Sequence, residues 1–248
     1  MASHSYDRIG IGYRTHRLPD AQIAAHILNA LGDAKSILNI GAGAGSYEPT
    51  SKRVIAVEPS ATMIQQRPPG SAPCVQAVAE ALPFRDRSFD AAMAVLTVHH
   101  WSQMREGLRE LRRVTAGRIV IVTWDPECHE QFWLTRDYLP EILALDRARF
   151  PKLATLEQHL GPLQVERLFI PCDCTDGFRS AYWKRPHAYL DQHIQRSISS
   201  FAQLDAEVVE RATSKLAADL TSGEWARRNY ELESCDGLDV GYRIVTSS

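Results

Sequence analysis

The sequence feature that most constrains the fold is a series of short apolar runs separated by segments with helical periodicity. Each run is rich in Val, Ile and Leu and is apolar on both faces. The runs are 36–40 (SILNI), 53–57 (RVIAV), 91–98 (AAMAVLTV) and 118–124 (RIVIVTW). Strands of this kind are usually buried in a parallel sheet. Because helical segments at 61–66 and 103–114 separate them, we expect a doubly wound α/β sheet.

The segments on either side of these runs extend the pattern. Asp20 can cap a helix in which apolar residues recur every three or four positions, and Gly32 can end that helix. After the fourth run we expect a helix over 132–145, a strand over 163–172 and a last strand over 241–246.

The stretch from 175 to 232 is mostly helical in pattern and far longer than a normal connection between elements. We therefore expect an aromatic-rich helical insertion before the last strand. Its aromatic residues include Tyr182, Trp183 and Tyr189. Because small-molecule sites are lined mainly by apolar and aromatic groups, such an insertion suits a cover over a ligand pocket and indicates a flat or apolar ligand.

Charge and hydropathy exclude several classes of protein. The net charge is −2, and the densest basic stretch, 105–118, is interrupted by Glu106 and Glu110. This pattern is typical of a solvated helix face and argues against a nucleic-acid partner. The sequence has no run of about 18 apolar residues, so no membrane partner is expected. Residues 1–17 contain no apolar run of signal-peptide length, and we expect a cytoplasmic protein.

The five cysteines do not predict a disulfide framework, because their number is odd and their spacing irregular. Cys172 and Cys174 form a C-x-C pair. A structural zinc site needs four ligands, usually with two to four residues between paired cysteines. Two cysteines of a strand with alternating faces are therefore the favoured interpretation, and no metal site is predicted.

A glycine-rich turn directly follows the first run, in the order Gly41-Ala42-Gly43-Ala44-Gly45. This position is the carboxyl edge of the sheet, where open α/β sheets bind ligands. Glycines allow the backbone to approach a ligand closely. A dinucleotide fingerprint requires its third glycine at the position of Ser46, so the pattern here is G-x-G-x-G.

Glu58 stands at the end of the second run. A carboxylate there is well placed to accept hydrogen bonds from two ribose hydroxyls. Such a contact fits any unphosphorylated diol, including those of S-adenosylmethionine and NAD. Two more motifs accompany the third run: 79–90, which contains AEALPF and SFD, precedes it, and His99-His100-Trp101 ends it.

Taken in order, these segments resemble the class I S-adenosylmethionine-dependent methyltransferases, in particular the ubiquinone/menaquinone-biosynthesis-type (methyltransferase type 11) subgroup. The resemblance runs from about residue 36 to 124 and includes the helical motif LRELRRV at 108–114. It implies a Rossmann-like fold, S-adenosyl-L-methionine as cofactor and a small-molecule acceptor methylated on oxygen, nitrogen or carbon. It also implies one domain over 1–248, whose parts are an N-terminal cofactor-covering segment and helix (1–35), a core (36–172), a substrate-side insertion (173–236) and the last strand (237–248).

The resemblance also implies roles for individual positions. Gly41 and Gly43 would lie under the methionine part of the cofactor. Glu58 would bind the ribose, and Pro59 and Met63 would pack on the adenine.

Further positions follow the length of the cofactor. Ala79 and Glu80 would lie along the adenine edge, and Leu96 and His99 would line the methionine side.

The N-terminal segment and two departures complete this comparison. Tyr13 and Arg17 would close over the cofactor, and Arg17 could pair with its carboxylate. The usual acid of the first strand is Asn39 here, and the usual Asp before Ala-Glu is Val78. A carboxylate contact to the adenine amino group is therefore missing.

A general base is required if the acceptor is a phenol, an amine or an acidic carbon. We favour His100 for this role, and the other candidates are His99, His129, Tyr182 and His187. Two alternative functions stay open. One is an NAD-dependent oxidoreductase, against which Ser46 and the AEALPF motif argue. The other is a non-catalytic S-adenosylmethionine-binding protein, for which Asn39 and Val78 argue.

Overall fold

The computed structural model describes residues 17–248, without the side chains of residues 129 and 130. Its main sheet has seven strands in the order β3-β2-β1-β4-β5-β9-β6. The strands are β1 Ser36–Ile40, β2 Arg53–Val57, β3 Cys74–Val75, β4 Phe89–Val95, β5 Thr115–Trp124, β6 Gln164–Arg167 and β9 Tyr242–Ser247. The first five are parallel, whereas β9 runs antiparallel to both β5 and β6. The Rossmann-like doubly wound fold is confirmed.

Helices cover both faces of this sheet. The α-helices are α1 Ala21–Leu31, α2 Ala61–Gln65, α3 Met104–Val114, α4 Trp133–Asp137, α5 Glu141–Arg149, α6 Leu153–Leu160, α7 Gln192–Ser197, α8 Ala206–Ser222 and α9 Glu224–Arg228. One core joins α1 through Ile23 and Ile27 to the insertion, and a second joins α3 through Leu108 and Leu111 to α6. Both faces of the central strands are buried, which explains their continuous apolar runs.

The predicted first helix is confirmed at both ends. The Asp20 carboxylate accepts hydrogen bonds from the N–H groups of Gln22 and Ile23, and the helix ends at Gly32 with a φ of +56°. These contacts satisfy two of the unpaired N–H groups at the helix start. No helix within 17–248 is long and apolar enough to cross a membrane.

Strand β4, which corresponds to the third apolar run, ends earlier than that run predicts. Strand β4 stops at Val95, and Leu96 adopts a φ of +51°. This left-handed conformation ends the extended backbone of the strand. It costs a non-glycine residue about 1–2 kcal/mol. A 3-10 turn, Val98–His100, follows directly. The two histidines therefore lie in a tight turn beyond the sheet edge and not on a strand end.

Two predicted elements are each divided in the structure. The helix expected over 132–145 is broken between α4 and α5, where Pro140 lacks the N–H group that a continuous helix needs. The strand expected over 163–172 is split into β6 and a two-residue strand, β7 (Ile170–Pro171). Strand β7 leaves the main sheet and pairs with β8 (Gly237–Leu238).

The aromatic side chains of the insertion belong to the core that it shares with α1. Trp183 and Tyr189 have no exposed surface. The Trp183 indole donates to the carbonyl of Ile170 at 2.9 Å, and the Tyr189 hydroxyl donates to that of Arg179 at 2.6 Å. Their polar atoms are thus satisfied inside the protein, and these two residues hold the insertion together. The expectation that they face a ligand is wrong, because their burial leaves no contact surface.

Candidate functional site

A large pocket opens at the carboxyl ends of β1, β2 and β4, and we call it the larger pocket. It encloses about 1170 Å³, including the space at its open mouth. It is lined by Arg17, Asn39, Ile40, Gly41, Ala42, Gly43, Ala44, Ser46, Tyr47, Glu58, Pro59, Ser60, Met63, Ala77, Val78, Ala79, Glu80, Val95, Leu96, Thr97, His100, Trp101 and Ser102. Ligands bind at this edge in open α/β sheets.

The glycine turn forms one wall of the larger pocket. Gly41 and Gly43 have φ values of +64° and +52°, which side chains rarely allow. A Cβ atom on Gly41 would lie only 1.9 Å from the Oγ1 atom of Thr97. The turn therefore depends on glycine both for its backbone conformation and for the close approach of Thr97.

Glu58 is a buried carboxylate at the floor of this pocket, with 6% of its surface exposed. One oxygen accepts from the N–H of Gly43 at 2.8 Å, and the other accepts from the N–H of Ser60 at 2.9 Å. Glu58 thus joins the turn after β1 to the turn after β2. Hydrogen bonds to an ionised acceptor are about twice as strong as neutral ones, so this link holds the pocket floor in place.

A second network supports the glycine turn from behind. The Asn39 amide donates to Glu48 at 3.2 Å, and both Glu48 oxygens accept from Arg67 at 2.8 Å. The Arg67 guanidinium also donates to the carbonyl of Gly43 at 3.3 Å. The Glu48 and Arg67 side chains are almost fully buried. Asn39 suits this network because its amide donates to a carboxylate that is already present.

This network predicts the effect of placing an acid, the usual residue of the family's first strand, at position 39. We expect Asn39→Asp to lower the free energy of unfolding by about 1–3 kcal/mol at pH 7, because a buried carboxylate would replace a donor beside Glu48. Denaturant unfolding would measure the loss. The exchange variant Asn39→Asp/Glu48→Gln restores a donor between the two positions, so it should lose less than the two single variants together. An Asn39→Asp protein as stable as the wild type would contradict the role of this amide.

A buried carboxylate of the insertion ties three parts of the chain together. Asp176, with 1% of its surface exposed, accepts from the Arg17 Nε at 2.5 Å and from the Tyr47 hydroxyl at 2.7 Å. Burial and the Asp176 charge raise the pKa of Tyr47, so its hydroxyl stays protonated and donates. Arg17 also forms a β-bridge with Asp176. The residue expected to close over the cofactor is therefore held at the pocket by the insertion.

The structure brings most of the predicted site residues to one place. Those that line the larger pocket are Arg17, Gly41, Gly43, Glu58, Pro59, Met63, Ala79, Glu80, Leu96 and His100. Val78 lies at the same pocket with 42% of its surface exposed. Tyr13 lies outside the described residues. His99 does not line this pocket; it lines the neighbouring one.

That neighbouring pocket, which we call the smaller pocket, encloses about 700 Å³ on the same measure. It is lined by Arg17, Leu96, His99, His100, Leu145, Asp146, Arg149, Phe150, Phe178, Arg179, Ile198, Ser199, Ser200, Gln203 and Tyr242. Arg17, Leu96 and His100 line both pockets. The two pockets therefore meet at these three residues, and one of them, Leu96, holds the strained backbone described above.

The histidine pair lies where the pockets meet. The rings of His99 and His100 are 3.9 Å apart, and His99 stacks on Phe150 with a centroid distance of 4.1 Å. Loss of solvation and the positive charges of Arg149 and Arg17 lower the pKa of His100 to about 4. The pKa of His99 is also lowered, mainly by burial and by His100. Both imidazoles are neutral at pH 7.

Other candidates from the sequence lie elsewhere. Neither Tyr182 nor His187 lines the two pockets, and the side chain of His129 is not described. Cys172 and Cys174 are free thiols, and residues 17–248 contain no group of three or more metal-ligating side chains.

Several site residues could not be found from the sequence. Phe150, Arg179 and Tyr242 come from three distant segments and meet only in the fold. Thr97 lies near the end of the predicted strand 91–98 and so offered a positional signal, whereas Asp176 offered none.

Comparison with known proteins places this site in context. A family model described as a methyltransferase domain matches residues 38–121. The crystal structure of a proposed methyltransferase from an antibiotic biosynthesis pathway of Anabaena variabilis superposes with a TM-score of 0.85. It is 33% identical and covers 94% of this chain and 99% of its own.

Curated relatives match over shorter regions. An uncharacterized protein of Mycobacterium tuberculosis is 27% identical over 173 residues, which are 60% of each chain. Malonyl-[acyl-carrier protein] O-methyltransferase of Erwinia pyrifoliae is 30% identical over 179 residues, 65% of this chain and 64% of that enzyme. The matched region therefore spans about 60% of the length of these relatives.

Proposed function

This chain belongs to the class I S-adenosylmethionine-dependent methyltransferases, and we propose that it transfers a methyl group to a small molecule bound in the smaller pocket. The observation that carries the proposal is the meeting of two pockets at Arg17, Leu96 and His100. Methyl transfer requires two ligands whose reacting atoms lie close together, and adjoining pockets with shared walls provide such an arrangement.

The residues of the larger pocket fit S-adenosylmethionine. A cradle of glycines, one of which excludes even a Cβ atom, lets the backbone approach a ligand. Glu58 provides a buried carboxylate suited to ribose hydroxyls, and Arg17 provides a cation suited to the cofactor's carboxylate. We propose these two residues and the glycine turn as the holding groups, with Pro59 and Met63 packing on the adenine.

The cofactor supplies an electrophilic methyl group on a sulfonium, which passes to an acceptor nucleophile while the S–C electron pair stays on sulfur. The protein's own contribution is positioning and the exclusion of water, which can supply about 7–11 kcal/mol. His100 lines both pockets and is neutral at pH 7, so its imidazole can accept the proton that the acceptor loses. His99 stacks on Phe150 and orients the wall beside it.

The pKa of His100 predicts the acidic limb of the pH profile. Because the group titrates at about 4 in the free protein, kcat/KM should stay level on this limb as the pH falls from 7 to about 5. It should fall as His100 becomes protonated below that range. Steady-state rates from pH 4.5 to 8 would show this. An acidic limb centred near pH 6.5 would contradict the depressed pKa.

His100→Asn tests the base role itself. We expect it to lower kcat by about 10²–10⁴-fold, the usual contribution of a general base, with little change in cofactor affinity. His187→Asn is the matched control, since His187 lines neither pocket. An unchanged kcat would assign His100 to packing.

The proposed function is tested by two measurements on the purified protein. Calorimetric titration with S-adenosylmethionine and with NAD should give saturable binding of the first alone. Release of S-adenosylhomocysteine on addition of small-molecule acceptors would then demonstrate turnover. Binding without turnover across phenols, amines and carbon acids would favour the non-catalytic alternative. Binding of NAD alone would overturn the proposal.

A further inference from the structure

The smaller pocket has an excess of positive charge. Three arginines line it, and Asp146 is its one acidic lining residue within 17–248. Arg17 pairs with Asp176, which lies outside the lining. The Arg149 guanidinium donates to the neutral amide of Gln203. A ligand that brought a negative charge would therefore be electrostatically favoured here.

Arg179 is the most informative of these cations because it is buried, with 8% of its surface exposed. Its Nη2 donates to Asp146 at 2.6 Å, and its guanidinium lies 5.4 Å from the centre of the Trp124 ring. Its Nε is buried and has no hydrogen-bond partner among residues 17–248. A buried donor without an acceptor is unfavourable, so an acceptor atom from a ligand would stabilise the Arg179 Nε.

A second buried polar atom among the residues that line this pocket also has no hydrogen-bond partner in the described part of the chain. The Ser200 hydroxyl oxygen is buried and finds no hydrogen-bond partner in the described part of the chain. Ser200 and Arg179 both line the smaller pocket. Buried polar groups are rarely left unsatisfied in proteins. Two such groups among the lining residues of one pocket indicate a ligand that offers acceptor atoms.

The remaining walls are aromatic and come from separate elements. Phe150 stacks on His99, and Phe178 lies against Tyr242 with ring centroids 4.9 Å apart. Flat rings pack well against such surfaces. The pocket thus combines aromatic walls with guanidinium and hydroxyl donors.

We propose that the acceptor is a planar aromatic carboxylate, whose carboxylate accepts hydrogen bonds from Arg179 and Arg149. This inference rests on the proposed function, since it names the class of molecule that the smaller pocket presents for methylation. Arg149 and Arg179 line only the smaller pocket, whereas the junction is formed by Arg17, Leu96 and His100. The carboxylate is therefore an anchor away from the junction, and a different atom of the molecule is methylated.

The test compares acids with their amides, which share shape but lack the charge. Calorimetric titrations would use 4-hydroxybenzoate, anthranilate and indole-3-carboxylate, each against its primary amide, with and without S-adenosylhomocysteine. At least one acid should bind about tenfold or more tightly than its amide, as expected for hydrogen bonds to a charged group.

Variants identify the residues behind that preference. Arg149 is exposed, so Arg149→Gln should fold and should remove most of the preference for the acid. Arg179 is buried in an ion pair, so the test variant Arg179→Lys keeps its charge. This variant removes the paired donors of the guanidinium and should weaken binding of the acid but not of the amide. Arg147→Gln is the control, as Arg147 is exposed on the same helix and lines neither pocket.

Failure of this inference is distinguishable from failure of the proposed function. If S-adenosylhomocysteine binds but no acid binds more tightly than its amide, the inference is overturned while the methyltransferase function stands. An acid preference that survives Arg149→Gln and Arg179→Lys would also overturn it. If S-adenosylhomocysteine does not bind, the proposed function fails, and titrations without it still measure the preference of the smaller pocket.

Discussion

Glu58→Ala is expected to reduce the affinity for S-adenosylmethionine by about 100-fold or more. The substitution removes the buried carboxylate that we propose accepts from two ribose hydroxyls, and each hydrogen bond to a charged group contributes about 1.5–3 kcal/mol. It also leaves the N–H groups of Gly43 and Ser60 without their acceptor, so the pocket floor loses its link. Calorimetric titration at pH 7 would measure the change in Kd.

Two companion variants make this result specific. Glu106→Ala removes an exposed carboxylate that pairs with Arg109 on the surface, and it should leave the Kd unchanged. Glu58→Gln retains an acceptor oxygen without the charge and should lie between Glu58→Ala and the wild type. If Glu58→Ala bound the cofactor as tightly as Glu106→Ala, the ribose would have to lie elsewhere.

Gly41→Ala should lower the free energy of unfolding by about 2–5 kcal/mol. A left-handed conformation costs an alanine about 1–2 kcal/mol, and overpacking adds about 1–3 kcal/mol. The new methyl group would meet the Thr97 Oγ1 at 1.9 Å and its Cβ at 2.7 Å, and the second atom cannot swing away. Denaturant unfolding would measure the loss, and we expect cofactor binding to be abolished.

Alanine substitutions at two other glycines separate the cost of the left-handed backbone from the cost of the contact with Thr97. Gly223 adopts the left-handed conformation with a φ of +78° and a ψ of 0°, and a Cβ atom there would meet nothing within 4 Å, so Gly223→Ala should cost only the backbone term. Gly43→Ala would meet the flexible end of Met63 at 3.2 Å and should cost little more. Equal losses for Gly41→Ala and Gly223→Ala would show that the Thr97 side chain moves aside without cost.

Local patterns predicted the parts of the fold that local physics determines. Apolar runs located β1, β2, β4 and β5, because a strand buried on both faces must be apolar throughout. The cap at Asp20 and the stop at Gly32 were found because capping uses neighbouring residues. The glycine turn and Glu58 each directly follow a predicted strand. They were therefore assigned to one edge of the sheet, where the structure places them.

Predictions that needed long-range contacts were incomplete. Trp183 and Tyr189 are aromatic residues in a helical segment, and composition cannot distinguish a pocket wall from a buried core. The pocket aromatics Phe150, Phe178 and Tyr242 are brought together only by the arrangement of three elements around the sheet edge. The early end of β4 depends on the strained backbone of Leu96, which no residue pattern predicts.

The position of Asp176 has a consequence for how this protein could acquire a new substrate. The insertion that carries it also contributes Phe178 and Arg179 to the smaller pocket. The two partners of Asp176 are Tyr47, which lines the larger pocket, and Arg17, which lines both. Replacing the whole insertion with that of a relative would remove one acceptor of the Arg17 guanidinium and the acceptor of the buried Tyr47 hydroxyl, unless the incoming segment carried an equivalent acid. Stepwise substitution within the insertion keeps Asp176 and avoids that loss. The need for this one carboxylate therefore limits the evolutionary routes to a new substrate.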